Sequence, residues 1–272
     1  MHIVVALLVL ILAMPVHAQG RASHCIAIAE AAPGVAFVHR AAWRTPLDDE
    51  YTVRLHYIDH AMFLLQSPGG VSAVTDYSGF IGRTGFVPDV VTMNHAHSTH
   101  WTSRPDPRIG TVLEGWGDGA GPHRHREEIG DMLVRNVPTD IRSPHGGVER
   151  FGNSIFVFEV AGLCIGHLGH LHHEPDEGQY AALGRLDVVM AAVDGGMTVD
   201  LPTMIDVLER LESSVVIPMH WFGQAGLERF LAGIAGSFDI DRRETSEIEI
   251  SLRTLPERPT VVVLRPSFLF DE

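Results

Sequence analysis

The sequence predicts an α/β fold in which two β-sheets pack face to face with helices outside. Two observations carry this. The first half of the chain is written in short apolar runs separated by turn residues, and the second half alternates buried runs with helical stripes. At 272 residues with 45% hydrophobic content, the chain has ample material for a core.

Residues 3–14 form an apolar run followed by Pro15 and the small-residue pattern Val16-His17-Ala18. This reads as a secretory signal spanning 1–18, cleaved after Ala18, with an uncleaved anchor as the competing reading. The run is short for a bilayer span, which takes about 20 residues. The mature chain, 19–272, reads as a single domain exported to the periplasm or secreted, with no stable membrane span left after cleavage.

Residues 19–50 have no sustained period and read as a lead-in. Strands are expected at 53–58, 61–65 and 71–74, the last two separated by the turn signal Ser67-Pro68-Gly69-Gly70. Another strand, 87–93, follows. Residues 101–130 read as a long irregular insertion of the kind that shapes a pocket. Strands resume at 131–137, 154–160 and 163–168, the last pair joined in hairpin fashion by Ala161-Gly162. A helix is expected at 174–183. Leu201, Met204, Ile205, Leu208 and Leu211 then form an apolar stripe behind the candidate cap Asp200. Strands at 188–190 and 215–217 flank these helices, and a helix at 226–234 and strands at 248–252 and 261–264 close the chain.

The formal net charge of −14, with 20 Lys plus Arg, argues against a nucleic-acid partner. There are two cysteines, Cys25 and Cys164. Cys164 lies in an apolar strand pattern, where a free buried thiol acts as a small hydrophobe; a bridge between the two is the minority reading.

The chemistry is concentrated in His95-Ala96-His97-Ser98-Thr99-His100, three imidazoles in six residues at the end of a strand. A loop leaving a strand end can wrap such residues around a cation. Neutral imidazole is the commonest protein metal ligand, and a catalytic zinc keeps three protein ligands plus a water whose pKa falls to about 7. His145, His170 and His220 also follow strand patterns, so they are expected at the same sheet edge. His123 and His125, interleaved with arginines, read as a solvated loop.

Together His95-x-His97-x-Thr99-His100, His145 ahead of 150–156, His167-Leu168-Gly169-His170-Leu171, Gly195-Gly196-Met197-Thr198 and Ile217-Pro218-Met219-His220 resemble a metallo-β-lactamase-fold hydrolase. The nearest branch is the ascorbate-6-phosphate-lactonase-like group. The resemblance covers 53–220 and implies a four-layer αββα sandwich. It places one metal on His95, His97 and His145. It places a second on His100, His220 and two carboxylate positions, which this chain fills with Thr99 and His170.

Both metal-binding carboxylates are thus replaced, leaving six neutral imidazoles and one or two zinc ions, or another divalent transition metal. The implied function is an exported metal-dependent hydrolase that uses a metal-bound hydroxide, its water oriented by Thr99, on a small-molecule ester, lactone, amide or phosphoester. The alternatives are a catalytically degenerate metal-binding protein of the same fold and a mononuclear iron redox enzyme. The resemblance also sets His60 near the site in a structural role and Asp76 behind the metal loop. Asp194-Gly195-Gly196 is read as a turn beside it, His172 and His173 as a solvated turn or a substrate contact, and Trp101 and Trp221 as pocket walls or core.

Overall fold

The computed structural model describes residues 21–27, 43–143 and 145–271. The proposed signal segment lies outside the described residues, as does most of the lead-in. A short helix α1 (His24–Ala27) precedes strands β1 (Val53–Asp59), β2 (Met62–Gln66), β3 (Ser72–Val74), β4 (Gly82–Arg83), β5 (Val90–Met93) and β6 (Thr111–Glu114). Then come β7 (Arg126–Ile129), β8 (Met132–Arg142), β9 (Val148–Val160) and β10 (Leu163–His167), followed by α2 (Glu177–Leu183), β11 (Val188–Ala192) and α3 (Leu201–Leu211). The chain ends with β12 (Val215–Met219), α4 (Gln224–Ile234), β13 (Asp239–Arg242), β14 (Glu247–Ile250), β15 (Thr260–Val263) and β16 (Leu269–Phe270).

The first sheet has the order β14-β1-β2-β3-β5-β6 and the second β13-β15-β12-β11-β10-β9-β8-β7, with β16 and β4 forming a small pair. Period-two alternation assigns the faces. On β2, Phe63 and Leu65 enter the core between the sheets, whereas Met62 and Leu64 face outward. On β11, Val188, Met190 and Ala192 point between the sheets, and Val189 and Ala191 meet the helices. Strands buried on both faces read as continuous apolar runs, as these do.

The helices form where their sequence signals lie. Asp176 caps α2 in a reciprocal capping box with Gln179, and Asp200 caps α3 by accepting from the Thr203 amide. Met204, Val207 and Leu208 of α3 and Leu227, Phe230, Leu231 and Ile234 of α4 cover the second sheet. The outer face of the first sheet is covered, among the described residues, by irregular segments carrying Tyr77, Ile81, Phe86, Trp101 and Ile109 rather than by a helix. The architecture is thus a metallo-β-lactamase-type α/β sandwich.

Besides the short strands β4, β13 and β16, which were not expected, three features differ from expectation. The segment 101–130 contains two strands, β6 and β7, which add to one sheet each. β8 and β9 run longer than their apolar cores, through a register shift between Thr139 and Ile141, and the longer hairpin carries His145 out at its tip. Cys25 and Cys164 form a disulfide with Cα atoms 5.8 Å apart, which corrects the reading of Cys164 as a free thiol. A local strand pattern shows that Cys164 is buried, but only the folded chain brings residue 25 to it.

The sheet order has one functional consequence. The carboxyl ends of β5, β10, β11 and β12 and the tight β1–β2 turn all open on the same rim of the sandwich, where the polypeptide delivers histidines. Crevices beyond strand carboxyl ends are where open α/β sheets bind ligands.

Candidate metal centre

Five imidazoles meet at that rim. His60 comes from the β1–β2 turn, His97 and His100 from the loop after β5, His170 from just beyond β10 and His220 from the end of β12. One ring nitrogen from each of His60, His97, His100 and His220 lies within 4.8 Å of the others. The His170 ring centroid is 4.8 Å from that of His97 and 4.9 Å from those of His100 and His220.

The outward-facing nitrogens are held. His100 Nδ1 is 2.5 Å from Asp76 Oδ2, His97 Nδ1 is 2.8 Å from the Thr99 hydroxyl, and His220 Nδ1 is 2.9 Å from Asp194 Oδ2. His170 Nδ1 is 2.6 Å from His172 Nε2. The Nε2 atoms of His60, His97, His100, His170 and His220 are buried with no protein partner. Buried polar atoms without partners are costly, on the order of 1–3 kcal/mol each. Five converge on one centre, and four of them, from His60, His97, His100 and His220, lie close enough together to be the donor set of a cation; carboxylate–histidine pairs behind the ring are the usual support of metal-binding imidazoles.

The supporting carboxylates are fully engaged. Asp76 Oδ1 accepts from the Asn94 side-chain amide. Asp194 Oδ1 accepts the amides of Gly196, Met197 and Thr198, and its Oδ2 accepts the Thr198 hydroxyl. Arg142 secures this loop from outside by donating to the carbonyls of Gly196 and Thr198 at 3.0 Å each. Burial alone would raise the Asp194 pKa, but hydrogen bonds from His220, Thr198 and the loop amides outweigh it and hold the carboxyl well below the usual range. Burial pushes Asp76 up to about 6, with His167 and Asn94 pulling the other way. Burial, reinforced by the neighbouring imidazoles, lowers His60 to about 3 and also lowers His97, His100 and His170. These rings are therefore neutral at pH 7, the form that ligates.

Backbone strain concentrates here. Of the six non-glycine residues with positive φ among the described residues, His60, Asp76 and His220 belong to this rim, at 50°, 42° and 58°. Each such conformation costs on the order of 1–3 kcal/mol and persists only when its surroundings over-determine it. The His60 carbonyl accepts from the His220 amide at 2.9 Å and from the Tyr57 hydroxyl at 2.8 Å, so the two strained histidines brace each other. Gly169, at φ 61°, has a different reason. A Cβ there would come within 2.4 Å of Asn153 Oδ1 and Asn94 Nδ2.

Of the six histidines expected to ligate, His97, His100, His170 and His220 come together. His95 stands apart. Its Nδ1 is 2.8 Å from Glu149 Oε1, and its ring leans on Trp101 and Trp116, at centroid distances of 5.7 and 5.3 Å. His145 is exposed in the hairpin turn, its amide donating to the Ser143 hydroxyl. Thr99 holds the His97 ring. Trp101 and Trp116 line the His95 side of the rim, whereas Trp221 packs against Tyr57 at 5.5 Å.

His60 enters the cluster although its sequence context reads as structural. The signal that could have found it is a histidine, rather than Gly or Asn, at a hairpin position needing left-handed backbone. Asn94 and Asn153 were not visible in the sequence either. Asn94 ties Asp76 to the Ser154 amide, and Asn153 accepts the His170 amide while donating to Thr139 and Leu168.

Two facing sheets with a histidine cluster at their common rim define the metallo-β-lactamase class of fold. A family model described as the beta-lactamase superfamily domain matches residues 54–220, and the chain belongs to that family.

Its fold is similar to that of a Thermotoga maritima protein assigned as a zinc-dependent hydrolase of the metallo-β-lactamase superfamily. The TM-score is 0.56 at 24% identity, over 78% of this chain and 98% of that one. It is also similar to Igni18, named a metallo hydrolase, from Ignicoccus hospitalis, with a TM-score of 0.50 at 17% identity over 68% and 91% of the two chains. CmlA, named a diiron β-hydroxylase, from Streptomyces venezuelae, gives 0.50 at 12% identity over 75% and 54%. At these identities the likeness speaks for fold alone. No curated protein sequence matches the chain.

Proposed function

We propose that the protein is an exported metal-dependent hydrolase of the ascorbate-6-phosphate-lactonase-like branch, acting on a small ester, lactone, amide or phosphoester. The observation that carries this reading is the convergence of buried, unpartnered imidazole Nε2 atoms whose rings are held from behind.

His97, His100 and His220 supply the three-imidazole set of an open catalytic zinc, with His60 as a fourth donor on the less buried side. A bound divalent ion supplies Lewis acidity and brings the pKa of a coordinated water to about 7. The chain's own residues do the rest. Asp76 and Asp194 orient the two most buried rings, the Asp194 loop is pinned by Arg142, and the exposed Phe222 ring stands 5.6 and 5.2 Å from those of His60 and His220. Asp76 and Asp194 are engaged in positioning the rings, and among the described residues the clustered donor set is all imidazole. That favours hydrolysis over the oxygen-ligated chemistry of mononuclear iron sites.

The disulfide supports export, because such bridges form and persist in oxidising compartments. Among the described residues no helix is long and apolar enough to cross a membrane.

Metal analysis of the purified protein tests the reading. One equivalent of zinc or another divalent transition metal, lost on His220→Asn and retained on His95→Ala, is the expected result. A folded protein that takes up no metal at all refutes it.

A further inference from the structure

The groups behind the rings divide three of the five imidazoles, His100, His220 and His170, into two chemical kinds. A carboxylate can only accept at neutral pH, so Asp76 places the proton of His100 on Nδ1 and leaves its Nε2 as a bare lone pair, and Asp194 Oδ2, 2.9 Å from His220 Nδ1, favours the same tautomer of His220. His170 is wired the other way. The Arg142 backbone amide, which can only donate, points at His172 Nδ1 from 2.6 Å. Neutral His172 therefore carries its proton on Nε2, and that nitrogen faces His170 Nδ1 at 2.6 Å. His170 Nδ1 is then an acceptor, so the proton of neutral His170 sits on its buried, unpartnered Nε2.

We infer that His170 is not a metal ligand but an N–H donor. Held in that tautomer by the Arg142–His172 relay, it is aimed beside the metal at a substrate oxygen that gains negative charge during hydrolysis. This rests on the metal-dependent hydrolase reading above.

The geometry agrees on three further points. His170 is not one of the four residues whose ring nitrogens lie mutually within 4.8 Å, a place that His60 takes. Its ring nevertheless packs at 4.8–4.9 Å from three of them, close enough to share a ligand with the ion. Its backbone is fixed by the Asn153 side chain at 2.9 Å and by the left-handed Gly169 before it, so the N–H is pre-aimed. Pre-aimed donors at the site of developing charge are worth about 10²–10³ in turnover. Esters, lactones and amides offer a carbonyl oxygen, and phosphoesters a phosphoryl oxygen, that accepts such a bond. His172 is the positioning residue, acting only through His170.

The test is two-bond proton–nitrogen correlation spectroscopy of the ¹⁵N-histidine-labelled protein, with zinc titration of variants. In the metal-free protein, His170 and His172 should show protonated Nε2 and bare Nδ1, with His100 and His220 showing the reverse. His172→Phe should release His170 into a mixture of tautomers. His170→Asn should bind zinc within about threefold of the unsubstituted protein, whereas His220→Asn should lose on the order of 100-fold. Inorganic phosphate, added to the zinc-loaded protein as an oxyanion probe, should shift the His170 Hε2 resonance downfield.

A proton on His170 Nδ1, a zinc loss on His170→Asn equal to that of His220→Asn, or an Hε2 resonance indifferent to phosphate overturns the inference. If the unsubstituted protein binds no zinc, the hydrolase reading falls, and the metal-free spectrum still decides the tautomer of His170.

Discussion

Acidification of the metal-free protein probes the histidine cluster most directly. Burial, with the charges of His220, His100 and His97 behind it, lowers His60 from 6.5 to about 3; burial, with Arg142 and His173 behind it, lowers His172 to about 4. The folded pKa of each lies below its unfolded value, so the unfolded chain takes up protons first. Their contribution is complete above pH 6.5, shrinks as pH falls below it and is gone near pH 3–4. From pH 6.5 to 5 the loss is about 1.36 kcal/mol per pH unit, or ~2 kcal/mol for each ring. Solvent screening at their partly exposed edges brings the pair to about 3 kcal/mol. His97, His100 and His170 shift in the same direction and deepen the fall.

Against a total stability of about 5–15 kcal/mol, that is a large fraction. Thermal unfolding of chelator-stripped protein at pH 7.5 and pH 5.0 should differ by at least about 6–12 °C in Tm. Saturating zinc should narrow the gap by competing with protons for the same nitrogens. A Tm that moves by less than about 2 °C would refute the picture of buried, neutral rings.

Three other perturbations isolate the supporting structure. Asp194→Asn removes the charge behind His220 while keeping an acceptor for the loop amides, so zinc affinity should fall about 10–100-fold by calorimetric titration with the fold intact. Replacing Cys25 by Ser opens a bridge spanning 139 residues and should lower stability by about 2–5 kcal/mol in denaturant melts; an unchanged midpoint would mean the bridge does not form. Gly169→Ala forces a Cβ onto Asn94 and Asn153 in a left-handed backbone, and should cost about 2–3 kcal/mol and displace His170. Unaltered Tm and His170 chemical shifts would contradict the crowding.

The elements were legible where the signal is local. The α3 stripe and its Asp200 cap, the Ala161-Gly162 turn and the apolar runs of β10, β11 and β12 each follow from residues within a few positions of one another. β6 and β7 were not, because each is a short strand defined by pairing with an edge already present rather than by its own alternation. The length of the β8–β9 hairpin likewise depends on a register that only the paired strands express.

By itself the sequence determined the class of protein. The histidine run after a buried strand, with further histidines after later strands, pointed to a metal site at one sheet edge, and the resemblance those motifs carry implied the sandwich. Tertiary structure decided the membership and chemistry of the site. Which imidazoles meet depends on three left-handed backbone positions and on partners distant in sequence, such as the Asn94–Ser154 and His60–His220 contacts. That geometry turns His95 toward Glu149 and brings His60 into the cluster. It also sets the proton of each ring, since Asp76, Asp194 and the Arg142 amide reach their histidines only in the folded chain. A histidine's place in the sequence names a possible ligand, but the group behind its second nitrogen decides whether it can be one.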